Sequence, residues 1–247
     1  MYNPNYVISV FEEFIKNSQN NVLLGLRLVE KIDQFPDPTG EELQLFQVYL
    51  NQQVSKIEET KGIFKNWIIK NGFEDIHYSL RATLERLYVF LSIQKEGVGV
   101  HAIEKIEKRY SNKARDFYYP DLINKIHELL GEELKYEKHL SSFNNARNCL
   151  VHTYGTVTKR HCNDSSKTKL VIYGNRFKMF FKSGELEIEA KIGDKGPENA
   201  ALMLGAEEFK LEYSISSPIE LTLEDFINIL STCIFFINDL KIKLGIE

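Results

Sequence analysis

The sequence predicts a mainly α protein of the α+β class: a helical bundle with a small antiparallel β insertion before the last helix. Apolar residues recur at helical spacing through residues 5–152. After Gly155 the pattern changes to the alternation typical of strands, and helical spacing returns after Thr222. With 247 residues, 43% of them hydrophobic and 27% charged, the chain is long enough to bury a large core.

The N-terminal region is predicted to hold two helices. Helical spacing covers residues 5–70, interrupted at 35–40, where two prolines and a glycine cannot continue a helix. Thr39 with Glu42 forms a capping-box signal that predicts the start of the second helix. Asn71-Gly72 is predicted to end that helix.

The central region is predicted to hold four more helices. Each is bounded by glycine or proline, which favour the ends of helices. The predicted elements are a helix over 74–95 that Gly97-Val98-Gly99 interrupts, one short helix within 101–119, a helix from Pro120 to Gly131, and a helix over about 132–152.

The β insertion is predicted over residues 156–214. Gly174-Asn175 and Ser183-Gly184 are turn signals between candidate strands. The predicted strands are Leu170–Tyr173, Phe177–Phe181, a half-buried strand in which Leu186, Ile188, Ala190 and Ile192 alternate with charged residues, and Phe209–Ile215.

The chain is predicted to divide into an N-terminal helical region, 1–72, that packs on a domain formed by 73–247. Thr222, with Asp225 three residues later, is a capping-box signal that predicts the start of the final helix. Its apolar residues form one stripe, so we expect it to return and pack on the bundle.

Charge and cysteine content exclude several classes of protein. The net charge of −4 provides no global field that would attract a polyanion, so any nucleic-acid site must be a local basic patch. Three cysteines without paired spacing argue against a disulfide framework. The first residues lack the pattern of a signal peptide, and the apolar run 229–237 is too short to span a bilayer. These features predict a cytoplasmic protein without a membrane association.

Arg147-Asn148-Cys149-Leu150-Val151-His152, followed by Thr153-Tyr154, forms an R-N-x-x-x-H-x-Y motif at the end of a predicted helix. An arginine and a histidine at a helix end often do no more than bind the last carbonyls and the negative end of the helix dipole. The motif and its helical context nevertheless resemble the signature of the HEPN superfamily, in which nuclease members carry an arginine, a polar residue and a histidine at this spacing. The match is tight over about ten residues and leaves residues 1–70 and 156–214 outside it.

The resemblance implies a metal-independent endoribonuclease of toxin or phage-defence type that needs no cofactor and acts as a homodimer. Neutral histidine can accept the proton of an RNA 2′-hydroxyl, and arginine can stabilise charge on the phosphate. His152 would be the general base or acid, Arg147 would bind the phosphate, and Asn148 would orient the imidazole. The products would be a 2′,3′-cyclic phosphate and a 5′-hydroxyl.

Spacing adds an expectation about assembly. Arg147 and His152 lie about 140° apart around a regular helix, so one copy is expected to make a poor pair. Two copies across a two-fold axis could interleave both residues in one site, which is the arrangement that the family implies. By the same resemblance, Tyr154 borders the site and is where a partner nucleotidyltransferase of an antitoxin system attaches AMP, and Glu85 is a candidate accessory acid.

The segment after the motif is locally basic, with seven basic residues against one acidic residue in 156–182. Lys159, Arg160, Lys167 and Lys169 are therefore candidate RNA-binding residues, because cations follow a phosphate backbone. A solvated hairpin with an apolar inner face is the alternative, and it is the preferred interpretation for the aromatic residues of this segment.

No metal site is predicted, because His152, His161 and Cys162 lack a fourth ligand and the usual ligand spacing. A non-catalytic HEPN-like scaffold that binds RNA or a protein partner remains the alternative to a nuclease. Cleavage of labelled RNA in the presence of EDTA separates the two.

Overall fold

The computed structural model describes residues 3–32, 57–97, 103–191 and 193–246. Its helices in chain order are α1 (Pro4–Glu30), α2 (Ile57–Glu96), α3 (Ile103–Asp116), α4 (Tyr119–Leu130), α5 (Glu137–Thr153) and α6 (Leu223–Lys243). Its strands are β1 (Lys169–Ser183), β2 (Leu186–Glu189) and β3 (Ala201–Ser214). The mainly helical α+β class is confirmed. The expected break at 35–40 and the Thr39–Glu42 capping box lie outside the described residues.

Helix α2 is the central element, a single helix of 40 residues that contacts α1, α3, α4, α5 and α6. The helix end predicted at Asn71-Gly72 is therefore wrong, and the expected division at 72/73 falls inside this helix. Gly72 is buried, and a Cβ atom built on it would lie 2.3 Å from Val22 Cγ2 and 3.0 Å from Phe226 Cε2. The glycine serves close packing of α1 and α6 on α2.

Several predicted helix boundaries are confirmed. Pro120 lies in the first turn of α4, and Gly131 follows its end. Thr222 and Asp225 form the capping box of α6, whose apolar stripe is buried. Helix α5 begins at Glu137, later than expected, because residues 131–136 form a turn in which the Leu134 amide donates to His127 Nε2.

The three strands form an antiparallel sheet in the order β2-β1-β3. The hairpin predicted at Gly174-Asn175 is wrong, because β1 runs straight through it. A Cβ atom on Gly174 would lie 2.2 Å from Phe209 Cε1 on the neighbouring strand. The Asn175 backbone N–H donates to Thr232 Oγ1 over 2.7 Å, and its Nδ2 lies 3.2 Å from His139 Nε2. This dipeptide therefore fixes the sheet on α5 and α6.

The sheet has a buried half and an exposed half. Leu170 and Ile172 near the start of β1 belong to the core, where β1 packs on α5 and α6. The far half, which we call the β ribbon (residues 177–189 and 201–206), is largely solvent-exposed. Strand β2 is present but not half-buried as expected, because Leu186 and Ile188 are exposed. The turn predicted at Ser183-Gly184 is present one residue later, with Gly184 and Glu185 between Ser183 and Leu186.

Among the described residues, no helix has the combination of length and apolar character that crossing a membrane requires. The apolar stripe of α6 is buried against the bundle. Its hydrophobic character is explained by packing in the core.

Candidate active site

Helix α5 presents the motif on the face opposite its core contacts. Ala146, Cys149 and Leu150 are buried, which leaves Arg147 and Asn148 half-buried and His152 exposed. The helix ends at Tyr154, which has a left-handed backbone, and the Cys149 carbonyl accepts hydrogen bonds from Thr153 Oγ1 and the Gly155 N–H. The last turn, which carries His152, is therefore held by a defined cap.

Arg147, Asn148 and His152 all line one cleft of about 880 Å³. Its walls are α2, α5 and the segment that joins α3 to α4. We call it the Arg–His cleft, and its lining residues are Glu74, Asp75, His77, Tyr78, Arg81, Phe117, Tyr118, Tyr119, Pro120, Asn144, Arg147, Asn148 and His152. Arg147 and His152 of a single copy therefore line the same cleft, although they lie far apart around the helix.

Asn148 is placed to orient the arginine, not the histidine as expected. Arg147 Nη1 donates to Asn148 Oδ1 over 3.4 Å, a long hydrogen bond. Among the described residues, Asn148 makes no hydrogen bond with His152. The guanidinium of Arg147 keeps most of its donors free for a ligand.

His77 is a second histidine of the cleft, and sequence reasoning missed it. Burial and the nearby charge of Arg147 lower its pKa to about 4, with a hydrogen bond to Asn144 opposing the shift and Arg81 adding to it. The ring stacks on Tyr119 with centroids 5.4 Å apart. His77 Nε2 and the Tyr119 hydroxyl are buried without hydrogen-bond partners in the described structure. These two buried side chains form the floor of the cleft, which is thus uncharged at neutral pH.

The depressed pKa of His77 predicts a pH-dependent stability. Above pH 6.5 the residue is neutral whether the chain is folded or unfolded. As the pH falls from 6.5 towards 4, the unfolded chain binds a proton that the native state excludes, so the free energy of unfolding falls by roughly 3 kcal/mol in total. Denaturant titrations at several pH values should show this loss for the wild-type protein and a clearly smaller one for His77→Gln.

His152→Gln serves as the matched control, because it removes an exposed histidine of the same cleft. An identical pH slope for the wild-type protein and His77→Gln would contradict the assignment.

Glu85 does not line the Arg–His cleft. Its Oε1 accepts a hydrogen bond from Arg81 Nε over 2.6 Å, and it faces a neighbouring cavity. The acidic residues that do line the cleft are Glu74 and Asp75, about three turns earlier on α2. The position of Glu85 therefore gives no support to a role as accessory acid. Its carboxylate instead forms a salt bridge with Arg81.

Arg81 in turn fixes the segment between α3 and α4. Its Nη2 donates to the carbonyls of Phe117 over 2.8 Å and Ala114 over 3.1 Å. These carbonyls close the C-terminal end of α3, so Arg81 acts as its cap. Neither Arg81 nor Phe117 was indicated as part of the site by the sequence, because the contact joins residues more than thirty positions apart.

Tyr154 lies next to the site but does not line the cleft. Its side chain is 95% exposed, on a residue with φ of 52°. Its hydroxyl is therefore open to a reagent or a partner protein, as the expected regulatory role requires.

Several basic side chains of residues 156–182 already have partners within the chain, which the composition did not indicate. Lys169 Nζ lies 2.6 Å from Glu212 Oε2, and Lys167 Nζ donates to the Cys162 carbonyl over 3.4 Å. Glutamates of β3 pair with β1 because the two strands are antiparallel neighbours. Lys159 and Arg160 are exposed on a short 3₁₀ helix, and Arg160 Nε donates to His161 Nε2.

Within the described ranges, no cluster of three or more His, Cys, Asp or Glu side chains is arranged to hold a metal ion. Burial, the charge of Arg160 and then that of His152 lower the pKa of His161. Cys162 instead donates to the Thr158 carbonyl. Comparison of the chain with protein-family models, with curated proteins and with solved structures finds no match.

Proposed function

We propose that this protein is a HEPN-like, metal-independent endoribonuclease of toxin or phage-defence type. The observation that supports the proposal is the convergence of Arg147, Asn148 and His152 on one open cleft. An arginine that merely capped α5 would bond its last carbonyls, but the Cys149 carbonyl is bonded to Thr153 and Gly155 instead.

The proposed reaction uses the 2′-hydroxyl of RNA as the nucleophile. His152 removes its proton, and the oxygen attacks the adjacent phosphorus. The bond to the 5′-oxygen breaks, and that oxygen takes up a proton that the protonated His152 supplies directly or through water. Arg147 donates to the phosphoryl oxygens as negative charge grows there, and Asn148 holds the guanidinium. The products are a 2′,3′-cyclic phosphate and a 5′-hydroxyl.

Incubation of labelled RNA with the protein and EDTA tests the proposal directly. We expect cleavage that leaves cyclic-phosphate ends, identified by their resistance to phosphatase until acid opens the ring. Strict dependence on Mg²⁺ or Mn²⁺ would contradict the mechanism. Binding without cleavage would support the non-catalytic scaffold instead.

The homodimer is proposed on the family resemblance. Light scattering at micromolar protein should give twice the mass of the chain.

A mixture of the Arg147→Ala and His152→Ala variants tests whether one copy supplies both residues of a site. A site shared across the two-fold axis recovers about a quarter of the activity, because half of the dimers are mixed and one of their two sites is intact. We expect no recovery, because one cleft contains both residues. Recovery would place the site between protomers.

Lys159 and Arg160 are the part of the basic segment that we propose to guide RNA towards His152. Replacing both with Gln should weaken RNA binding and flatten its salt dependence, since each lost phosphate contact lowers the slope of log K against log salt by about 0.7 for single strands. Replacing Lys167 and Lys169 with Gln is the matched control and should change binding less, because Glu212 already pairs with Lys169. Equal effects of the two double substitutions would show that the insertion binds RNA along its whole length.

We further propose that Tyr154 is a regulatory site at which a nucleotidyltransferase partner attaches AMP. The exposure of the side chain supports access, and the two-residue spacing from His152 would place a bulky anionic group beside the site. An added phosphate would repel the RNA backbone from Arg147.

A further inference from the structure

Two tyrosines stand exposed at the mouth of the Arg–His cleft. Tyr78 on α2 is 72% exposed and Tyr118 before α4 is 81% exposed, and both line the cleft together with Arg147. Exposed aromatic rings around a concave polar site are typical of ligand recognition, because they leave apolar faces open that a flat ligand can cover.

Both rings stand on supported backbone. Tyr78 belongs to the middle of α2, where Ile76 and Leu80 are buried in the core. Tyr118 follows Phe117, whose carbonyl accepts from Arg81, and precedes the first turn of α4 with Pro120. The backbone positions of both tyrosines are therefore set before a ligand arrives, which reduces the entropy lost on binding.

The charges of the cleft are divided between its walls. Glu74 and Asp75 lie on α2, close to Tyr78, together with Arg81, whose charge is paired with Glu85, whereas Arg147 lies on α5. A phosphate is repelled by the first wall and attracted by the second. The floor of His77 and Tyr119 is buried and aromatic. The cleft thus offers one place for an anion and, beside it, aromatic surface for a flat uncharged group.

We infer that Tyr78 and Tyr118 bind the base of a nucleotide next to the scissile phosphate by stacking, so that the substrate is unpaired RNA. This inference rests on the proposed ribonuclease function and defines its substrate class. The faces of a base within a duplex are covered by neighbouring base pairs, so only an unstacked base can lie on these rings. Base–aromatic stacking accounts for about 5- to 150-fold in affinity per base on alanine substitution.

The test uses fluorescent single-stranded 2′-O-methyl RNA of mixed sequence, which lacks the nucleophile and cannot be cut, and the matching duplex. Tyr78→Ala and Tyr118→Ala should each weaken single-strand binding at least about 5-fold, whereas Tyr→Phe at either position should retain it, because phenylalanine keeps the stacking face. Tyr6→Ala is the matched control, because Tyr6 is 61% exposed on α1 and does not line the cleft. Far-UV circular dichroism checks that all variants fold.

Single-strand affinity that stays unchanged in both alanine variants would overturn the inference, as would an equal loss for single strand and duplex, which would indicate backbone binding. Cleavage of unmodified RNA is measured separately. If the wild-type protein cleaves RNA but binding does not depend on the tyrosines, the base subsite is refuted and the nuclease proposal is unaffected. If binding depends on the tyrosines but the wild-type protein does not cleave, the nuclease proposal is refuted and the base subsite is supported.

Discussion

Replacement of His152 by alanine is expected to reduce RNA cleavage by about 10²- to 10⁴-fold, the usual contribution of a positioned general base or acid. The side chain is exposed at the end of α5, so its removal should leave helical content and thermal stability almost unchanged. Arg147→Ala should cause a loss of about 10²- to 10³-fold, because it removes donors aimed at the developing phosphoryl charge. Initial rates on a labelled oligonucleotide in EDTA measure both effects.

Arg147→Lys is the informative companion to Arg147→Ala. Lysine keeps the positive charge but lacks the planar fork of donors, so it should recover only a small part of the rate. Glu85→Gln provides the contrast, because Glu85 lies outside the Arg–His cleft. It should retain most of the cleavage rate while weakening the hold on Arg81. Full activity of His152→Ala would end the proposal of a histidine-dependent nuclease.

Gly72→Ala is expected to give the largest loss of stability among single alanine substitutions of glycine in α2. Alanine favours a helix interior by about 1 kcal/mol over glycine. At residue 72, however, the added Cβ would lie 2.3 Å from Val22 Cγ2, which forces α1 away from α2. Overpacking of this kind costs about 1–3 kcal/mol, so we expect net destabilisation in a urea titration.

Gly62→Ala is the matched control in the same helix. Gly62 is exposed and its Cβ would meet nothing within 4 Å, so the substitution should stabilise by about 0.5–1 kcal/mol. The double variant Val22→Ala/Gly72→Ala should recover part of the loss, because it removes the methyl group that the new Cβ meets. Equal stabilisation by both single substitutions would show that α1 does not pack as described.

Local signals in the sequence predicted the fold class, the caps at Gly131 and Thr222, and the helix that carries Arg147 and His152. The two wrongly predicted breaks arose at Gly72 and Gly174. At both positions glycine is required by a side chain from a distant part of the chain, Val22 in one case and Phe209 in the other. A sequence read in windows cannot distinguish such a contact from a turn.

The same limit applies to the site. The R-N-x-x-x-H motif is contiguous, so it could be found without a structure. His77, Tyr78 and Tyr118 join it only because α2 and the segment before α4 lie against α5, and none of them belongs to a local pattern. The glutamates of β3 that pair with the basic segment were missed for the same reason, because composition counts charges without their neighbours.

The position of α2 at the centre of the bundle has a consequence for the dynamics of the site. The middle of a helix that contacts α1, α3, α4, α5 and α6 cannot open its backbone hydrogen bonds unless its neighbours separate, so the amide hydrogens there should exchange only with global unfolding. The β ribbon, with exposed side chains on β2 and the start of β3, should exchange far sooner. His77, Tyr78 and Arg81 therefore belong to the slowest-exchanging part of the chain. One wall of the Arg–His cleft should keep its shape over many cycles of ligand binding and release, and any motion that admits a substrate should come from the opposite wall.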